Sequence, residues 1–138
     1  MSNLVVAKKL EQILSLLSEL EKLLDPSVGT FTKNSVHIRA AERDFQLIVD
    51  LASDINAFFV LAKTSKTPDS YRESFLDMAK IGILDDSLAQ KLSNTARVRN
   101  ILVHEYDFEE DYVKFYAAAK ESIDPYRQYT KVVFEHIS

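Results

Sequence analysis

The residues best suited to chemistry lie close together in the C-terminal half of the chain. Positions 97–106 include two arginines, an asparagine, a histidine and a tyrosine: Arg97, Arg99, Asn100, His104 and Tyr106. An imidazole, with an ordinary pKa of about 6.5, takes up and releases protons near neutral pH. A guanidinium keeps its charge and offers two parallel hydrogen bonds to phosphate oxygens. Together these residue types indicate a site that binds an anion and transfers protons.

Outside this segment the chain offers little chemistry. It has three histidines and no cysteine, which excludes thiol nucleophiles and zinc–thiolate sites. The other two histidines, His37 and His136, have no carboxylate or histidine at the helical spacing that a metal site needs, and we interpret both as surface residues. The chain also lacks a glycine-rich phosphate loop. We therefore expect no metal ion and no cofactor.

On one helix, the polar residues of positions 97–104 point in two directions. Arg97, Asn100 and His104 are three and four positions apart and share a face. Arg99 instead occupies a position in the apolar stripe of that helix, five residues from His104. On a regular helix this separation is about 140° around the axis and about 7.5 Å along it. Use of both side chains on one substrate requires either a helix end before His104 or a second copy of the chain.

Each of these residues also has a purely structural interpretation. Arg99 can be a buried guanidinium paired with Asp54, which interrupts an apolar stripe of the longest predicted helix. His104 can be a helix-terminal histidine that the helix dipole favours. Tyr106 can pack its ring after a helix end and hydrogen-bond through its hydroxyl. The residue types alone leave these alternatives open.

Two glycines and three prolines separate segments with a 3.6-residue apolar period, which predicts an all-α chain. The first helix ends at Asp25-Pro26. The second begins at Asn34 or Ser35 and runs to about Ala62, with two apolar stripes. The first stripe comprises Ala41, Phe45, Ile48, Ala52, Ile55, Phe59 and Ala62, and the second comprises Leu47, Leu51, Phe58 and Leu61. Such a helix is central in its bundle, or is covered by a partner subunit as well.

Two further helices follow a polar connection. Ser70 and Glu73 have the spacing of a capping box and predict a short helix that ends at Gly82. Asp85 or Asp86 caps the next helix, which carries the residues described first.

The last predicted helix starts at about Glu109, where Asp107 and Glu110 repeat the capping-box spacing. Pro125 must kink or split it, because proline lacks a backbone donor and clashes with the preceding turn. The expected architecture is an antiparallel bundle of four to five helices in a single domain, residues 1–138.

Charge and hydropathy limit the classes of function. The net charge is −4, which argues against a protein that coats nucleic acid by charge alone and confines such a role to a local site. Charged residues interrupt the apolar stretches before the roughly 20 residues that a membrane span requires. Lys8 and Lys9 lie within a helical pattern, which is unlike a secretory signal. We expect a cytoplasmic protein that does not enter a membrane.

The run from Arg99 to Tyr106 resembles the motif of the HEPN superfamily, in which an arginine precedes a histidine by five positions and a tyrosine by seven. It is most similar to the HepT toxins that are paired with minimal nucleotidyltransferase antitoxins. Residues 53–56, 71–75 and 81–84 also resemble this family, so that the likeness covers about residues 35 to 115. The adjacent Phe58 and Phe59 depart from it, because a more polar pair is expected there.

The resemblance implies a HEPN-like homodimer that acts as the toxin of a type VII-like toxin–antitoxin system. Its activity is then a metal-independent endoribonuclease that acts on RNA and not DNA, in a cleft where two motifs meet. By this likeness Arg99 and His104 are the catalytic pair, with Asn100 and Arg97 in support as phosphate-binding residues. Tyr106 is the position at which the nucleotidyltransferase antitoxin attaches AMP and silences the toxin.

Two other functions fit the same residues. The first is a non-catalytic HEPN module that binds a nucleotide or a nucleotidyltransferase partner, with Arg97 and Arg99 on phosphate. The acidic net charge favours this alternative. The second is a purely structural helical adaptor, for which the two apolar stripes of the second helix are the evidence.

Overall fold

The computed structural model describes residues 1–104 and 111–138, without the side chain of His104. The predicted all-α architecture is confirmed. Five of the helices in the described residues are the predicted ones, and a single turn after Pro26 is an addition. They are α1 (Asn3–Leu24), α2 (Val28–Phe31), α3 (Ser35–Thr64), α4 (Tyr71–Lys80), α5 (Asp86–His104) and α6 (Tyr112–Ile137).

Side-chain caps decide where three of the helices begin. Asn34, not Ser35, caps α3 by accepting a hydrogen bond from the His37 amide at 3.1 Å. Ser70 accepts from the Glu73 amide at 3.0 Å, as the capping-box spacing predicts. Asp85, and not its neighbour, accepts from the Leu88 amide at 2.7 Å at the start of α5.

The turn after α4 contains Gly82, whose φ of +85° lies in the left-handed region that glycine enters without strain. The expected end of the short helix at this glycine is confirmed, since α4 stops at Lys80.

The bundle is built around α3, which contacts α1, α4 and α5. Lys9 of α1 lies 3.6 Å from Asp54 of α3, and Glu19 of α1 lies beside Asp44 of α3. Because the order of the two contacts is reversed along the two helices, α1 and α3 are antiparallel. Arg127 donates two hydrogen bonds to the Glu21 carboxylate and so links α6 to the C-terminal end of α1.

The burial of α3 explains its apolar composition. Its most apolar 18-residue window has a mean hydropathy of 1.5, so by length and composition α3 could cross a membrane. In the bundle 44% of that window is buried, as in the core helix of a globular protein. The first apolar stripe is buried up to Ile55, whereas Phe59 is half-buried and Ala62 is exposed. The second stripe faces outward, and Leu61 is 49% exposed.

Polar side chains inside the core fix how the helices pack. The Tyr129 hydroxyl donates to Asn56 Oδ1 at 2.7 Å, and Asn56 Nδ2 donates to Ser74 Oγ at 3.1 Å, so that α6, α3 and α4 share one network. Thr95 and Tyr126 join α5 to α6 through their hydroxyls, 2.6 Å apart. Buried groups of this kind are costly when unpaired, which makes the packing specific.

The last helix differs from the prediction at Pro125 and at its first residue. α6 continues through Pro125 to Ile137, so a split at the proline is wrong. Ile123 and Tyr126 on either side of it are buried, and their packing offsets the roughly 3 kcal/mol that an internal proline costs. α6 begins at Tyr112, while the predicted capping residues lie at positions 107 and 110, outside the described residues.

Candidate active site

Among the candidate site residues, the Arg99 side chain is fixed by contacts with three other residues. Its Nε donates to Asp50 Oδ1 at 2.9 Å, and its Nη1 lies 3.4 Å from Asn100 Oδ1. The guanidinium carbon lies 4.8 Å from the centre of the Tyr71 ring, in cation–π range. The side chain is 15% exposed. α5 thus places the guanidinium against α3 and the first residue of α4.

The prediction that Arg99 pairs with Asp54 is wrong by one turn of α3. Asp54 is exposed and pairs with Lys9 of α1, whereas Asp50 accepts the hydrogen bond from Arg99. Both carboxylates lie on α3, four residues apart, and periodicity alone does not distinguish them. The choice follows from where α1 and α5 cross α3.

Tyr71 completes the surroundings of Arg99. Burial raises the pKa of the Tyr71 phenol, and the nearby negative charge of Asp50 raises it further. The phenol therefore stays neutral at physiological pH and presents an intact ring to the guanidinium. This makes Tyr71 a platform for Arg99 and not a source of charge.

Arg97 lies apart from Arg99. Residues two positions apart are about 200° apart around a helix, and the structure follows this geometry. Arg97 is exposed and lines a groove of about 690 Å³ between α5 and α6, with Phe45 among its lining residues. Lys91 lies on the same groove, opposite Glu121 and Asp124 of α6. Arg97 and Arg99 therefore do not form one cationic cluster within a single chain.

The remaining predicted residues lie at the end of α5. Asn100 is exposed and contacts Arg99. His104 is the last residue of α5, so the expectation of a helix end before His104 is wrong. The side chain of His104 and all of Tyr106 lie outside the described residues.

An apolar surface adjoins the Arg99 site. We call it the outer α3 stripe, and it consists of Val36, Leu47, Leu51, Phe58 and Leu61. Val36 is 72% exposed, and the three central members are half-buried. Asp50 borders this stripe, since it lies three residues after Leu47 and therefore on the same side of the helix. Phe58 and Phe59 lie ring against ring at 5.1 Å, and Phe59 also contacts the His136 ring at 5.2 Å.

Sequence reasoning missed Asp50 and Tyr71. A signal for the first was available, because Asp50 precedes Asp54 by one turn and equally interrupts the apolar pattern of α3. Tyr71 lies 28 residues before Arg99, and only the packing of α4 against α5 brings it there. In the described parts of the chain, acidic and histidine side chains form no cluster of three that could hold a metal ion.

Comparison with known proteins agrees with this architecture. The family model described as ribonuclease HepT-like matches residues 13–133. A tRNA nuclease HepT from Aphanizomenon flos-aquae is 34% identical over 105 residues, which are 75% of this chain and 70% of that protein.

Two solved structures share the fold. One is an AMPylated Shewanella oneidensis HEPN toxin in complex with its MNT antitoxin, at a TM-score of 0.83, 18% identity and coverage of 98% of this chain and 99% of that one. The other is an MntA-HpeT toxin–antitoxin complex, at a TM-score of 0.83, 16% identity and coverage of 95% and 98%. The match over most of the length, with the curated relative above, shows that the chain belongs to the HepT-like ribonuclease family.

Proposed function

We propose that this protein is the toxin of a toxin–antitoxin pair, a ribonuclease that cleaves RNA without a metal ion. The observation that carries the proposal is an intact Arg99-x4-His104 spacing at the end of α5 in a member of the HepT-like ribonuclease family. The curated relative is named a tRNA nuclease, which makes transfer RNA the first substrate to test.

The chemistry needs no metal when the RNA supplies its own nucleophile. The ribose 2′-oxygen attacks the adjacent phosphorus, the bond from phosphorus to the 5′-oxygen breaks, and a 2′,3′-cyclic phosphate forms. One imidazole takes the proton of the 2′-hydroxyl and another protonates the departing 5′-oxygen. Arg99 stabilises the negative charge that grows on the phosphate oxygens.

This division of labour calls for two copies of the chain. One His104 does not serve as acid and base in the same step, and a homodimer supplies two. The outer α3 stripe supports this assembly, because it leaves apolar side chains outward beside the Arg99 site. A twofold axis near this stripe would bring two Arg99 sites to one cleft.

Silencing by a nucleotidyltransferase antitoxin is the second part of the proposal. AMP attached to Tyr106, two residues from His104, would bring a phosphate to the arginines and block RNA by charge and by volume. An AMPylated HEPN toxin bound to its MNT antitoxin shares the fold of this chain, which supports this partner.

The direct test is cleavage of a transfer RNA pool by the purified protein in the presence of a chelator. We expect cleavage in the wild type and a loss of about 10²–10⁴-fold in His104→Ala, the usual contribution of a general acid or base. His37→Ala is the matched control, since it removes an imidazole at the start of α3. Dependence on added metal, or full activity in His104→Ala with an unchanged melting temperature, would contradict the proposal.

A non-catalytic module that binds nucleotide is the alternative. The net charge of −4 favours it, since it repels the many phosphates of RNA more than the phosphate of a single nucleotide. Parallel titrations with AMP and with RNA separate the two functions. Tight AMP binding without any RNA cleavage is the result expected of the module.

A further inference from the structure

The strongest unassigned feature is the way in which Arg99 is held. Its Nε contacts a carboxylate, one face of the guanidinium lies over an aromatic ring, and Nη1 approaches an amide oxygen. Asp50, Tyr71 and Asn100 come from three different helices. A long side chain with many rotamers is thereby restricted to one orientation.

The donors of the guanidinium show what this orientation leaves open. An arginine has five N–H donors. In the described part of the chain one is used by Asp50 and one by Asn100, which leaves three on the two Nη atoms. The Nη1–Nη2 edge can bind two oxygens of a phosphate at once.

We propose that Asp50 is a positioning residue, which holds Arg99 by Nε so that the Nη edge meets the RNA phosphate, with Tyr71 supporting the guanidinium plane. This inference rests on the proposed ribonuclease function and adds a residue to its site. The carboxylate acts through Arg99 and does not itself contact the substrate.

The opposite role for Asp50 is competition with the phosphate for Arg99. The contact geometry argues against it, because Asp50 is bonded to Nε alone, and in the described part of the chain three N–H donors on the two Nη atoms are left for another anion. A carboxylate at this place still lowers the net positive charge, so it limits nonspecific phosphate binding. Pre-orientation is worth more in the transition state, where a misplacement of about 1 Å costs about 10²-fold in rate.

Two substitutions separate the hydrogen bond from the charge. Asp50→Asn keeps an oxygen that accepts from Nε but removes the charge, whereas Asp50→Ala removes both. Cleavage of RNA under saturating conditions should fall by about 10²-fold in Asp50→Ala and much less in Asp50→Asn. KM should change little in comparison, because Arg99 is still present. Melting temperatures of both variants check that the bundle is folded.

Asp77→Ala is the matched control. Its carboxylate has a side-chain exposure of 23% against 28% for Asp50, and it pairs with Lys80 on its own helix. This variant removes the same charge without touching Arg99, so its cleavage rate should equal that of the wild type.

A second readout does not depend on cleavage. In ¹H–¹⁵N spectra, the Nε–H signal of Arg99, assigned by its loss in Arg99→Lys, should be protected from exchange in the wild type and in Asp50→Asn. Asp50→Ala should lose that protection.

RNA cleavage tests the ribonuclease function, and the Nε–H signal of Arg99 tests the positioning role of Asp50 separately. A wild type that cleaves no RNA but shows the protected signal and its loss in Asp50→Ala refutes the ribonuclease and supports the positioning contact. An Asp50→Ala protein that cleaves RNA as fast as the wild type, or faster, overturns the positioning role. An Arg99 signal that is unchanged by Asp50→Ala overturns it as well.

Discussion

At the scale of single residues, Arg99 shows how a charge is kept inside an apolar stripe. The guanidinium is 15% exposed, and its burial is possible because Asp50 and Tyr71 meet it from neighbouring helices. Breaking such a half-buried pair by removing one partner costs far more than exchanging an exposed ion pair. Few other residues can therefore replace Arg99, which is more typical of a functional site than of an exposed surface position.

Tyr106 provides a prediction at this scale. Incubation with the cognate nucleotidyltransferase and ATP should add AMP to the peptide that contains Tyr106, detected by mass spectrometry. Tyr106→Phe should abolish the addition, because the phenolic oxygen is the acceptor, and its RNA cleavage should escape silencing.

Tyr112→Phe is the control for that experiment, since it removes a nearby phenol at the start of α6. An unmodified Tyr106 peptide from a wild-type protein that is silenced by the same partner would remove Tyr106 from the mechanism.

At the scale of elements, the α1–α3 contact contains an unusual carboxyl pair. Asp44 is 6% exposed, and its Oδ2 has no hydrogen-bond partner in the described part of the chain. Burial, together with Glu19 on α1, raises the pKa of Asp44 to about 6. The carboxyl group is thus more easily protonated in the folded state than in the unfolded chain.

This shift predicts a pH-dependent stability. Below the unfolded pKa of 3.8 Asp44 is protonated in both states and its contribution is fully present. As the pH rises towards 6, the unfolded chain has already lost the proton and the folded state weakens. Asp44→Asn should therefore raise the free energy of unfolding by about 1–2 kcal/mol at pH 7 and change it little at pH 4.

Chemical denaturation at the two pH values measures this difference. Asp124→Asn, at an exposed position on α6, is the control and should leave both values unchanged. If Asp44→Asn raises the free energy of unfolding equally at pH 4 and pH 7, the charge of the carboxylate is not the cause of the increase.

At the scale of the whole molecule, the outer α3 stripe is an apolar surface that a single chain leaves partly exposed. It runs along the thirty-residue central helix and passes the Arg99 site, because Asp50 lies between Leu47 and Leu51. Coverage by a second copy would bury these apolar side chains and bring in the second His104 that the proposed chemistry requires. Assembly and activity should then fail together.

Leu51→Glu tests this link. A carboxylate at the centre of the stripe would be repelled by its copy across a twofold axis, so sedimentation should show a monomer. RNA cleavage should fall with the loss of the dimer, while the helical circular dichroism stays as in the wild type.

Leu14→Glu is the matched control, because Leu14 is a 38% exposed apolar residue of α1 and does not belong to the outer α3 stripe. It should leave both dimer and activity intact. A Leu51→Glu protein that remains a dimer would place the interface elsewhere.

Much of the architecture could be predicted from local rules. The spacing of apolar residues follows from 3.6 residues per turn, so it predicted α1, α3, α4 and α5. Caps at Ser70 and Asp85 are local as well, since each side chain bonds an amide three residues on. The split predicted at Pro125 is wrong because the free-energy cost of a proline inside a helix is offset by the burial of its neighbours, which is a tertiary effect.

The sequence by itself determined which residue types are available for chemistry, and their order at the end of α5 carries the family likeness that the comparisons confirm. Only the tertiary structure decided that Arg99 meets Asp50 and Tyr71, and that Arg97 faces a different groove. The physical reason is that periodicity orders residues along one helix, whereas the partner of a side chain depends on where a second helix crosses the first. Asp50 and Asp54 are equivalent in the pattern of α3 and become different when α1 and α5 pack against it.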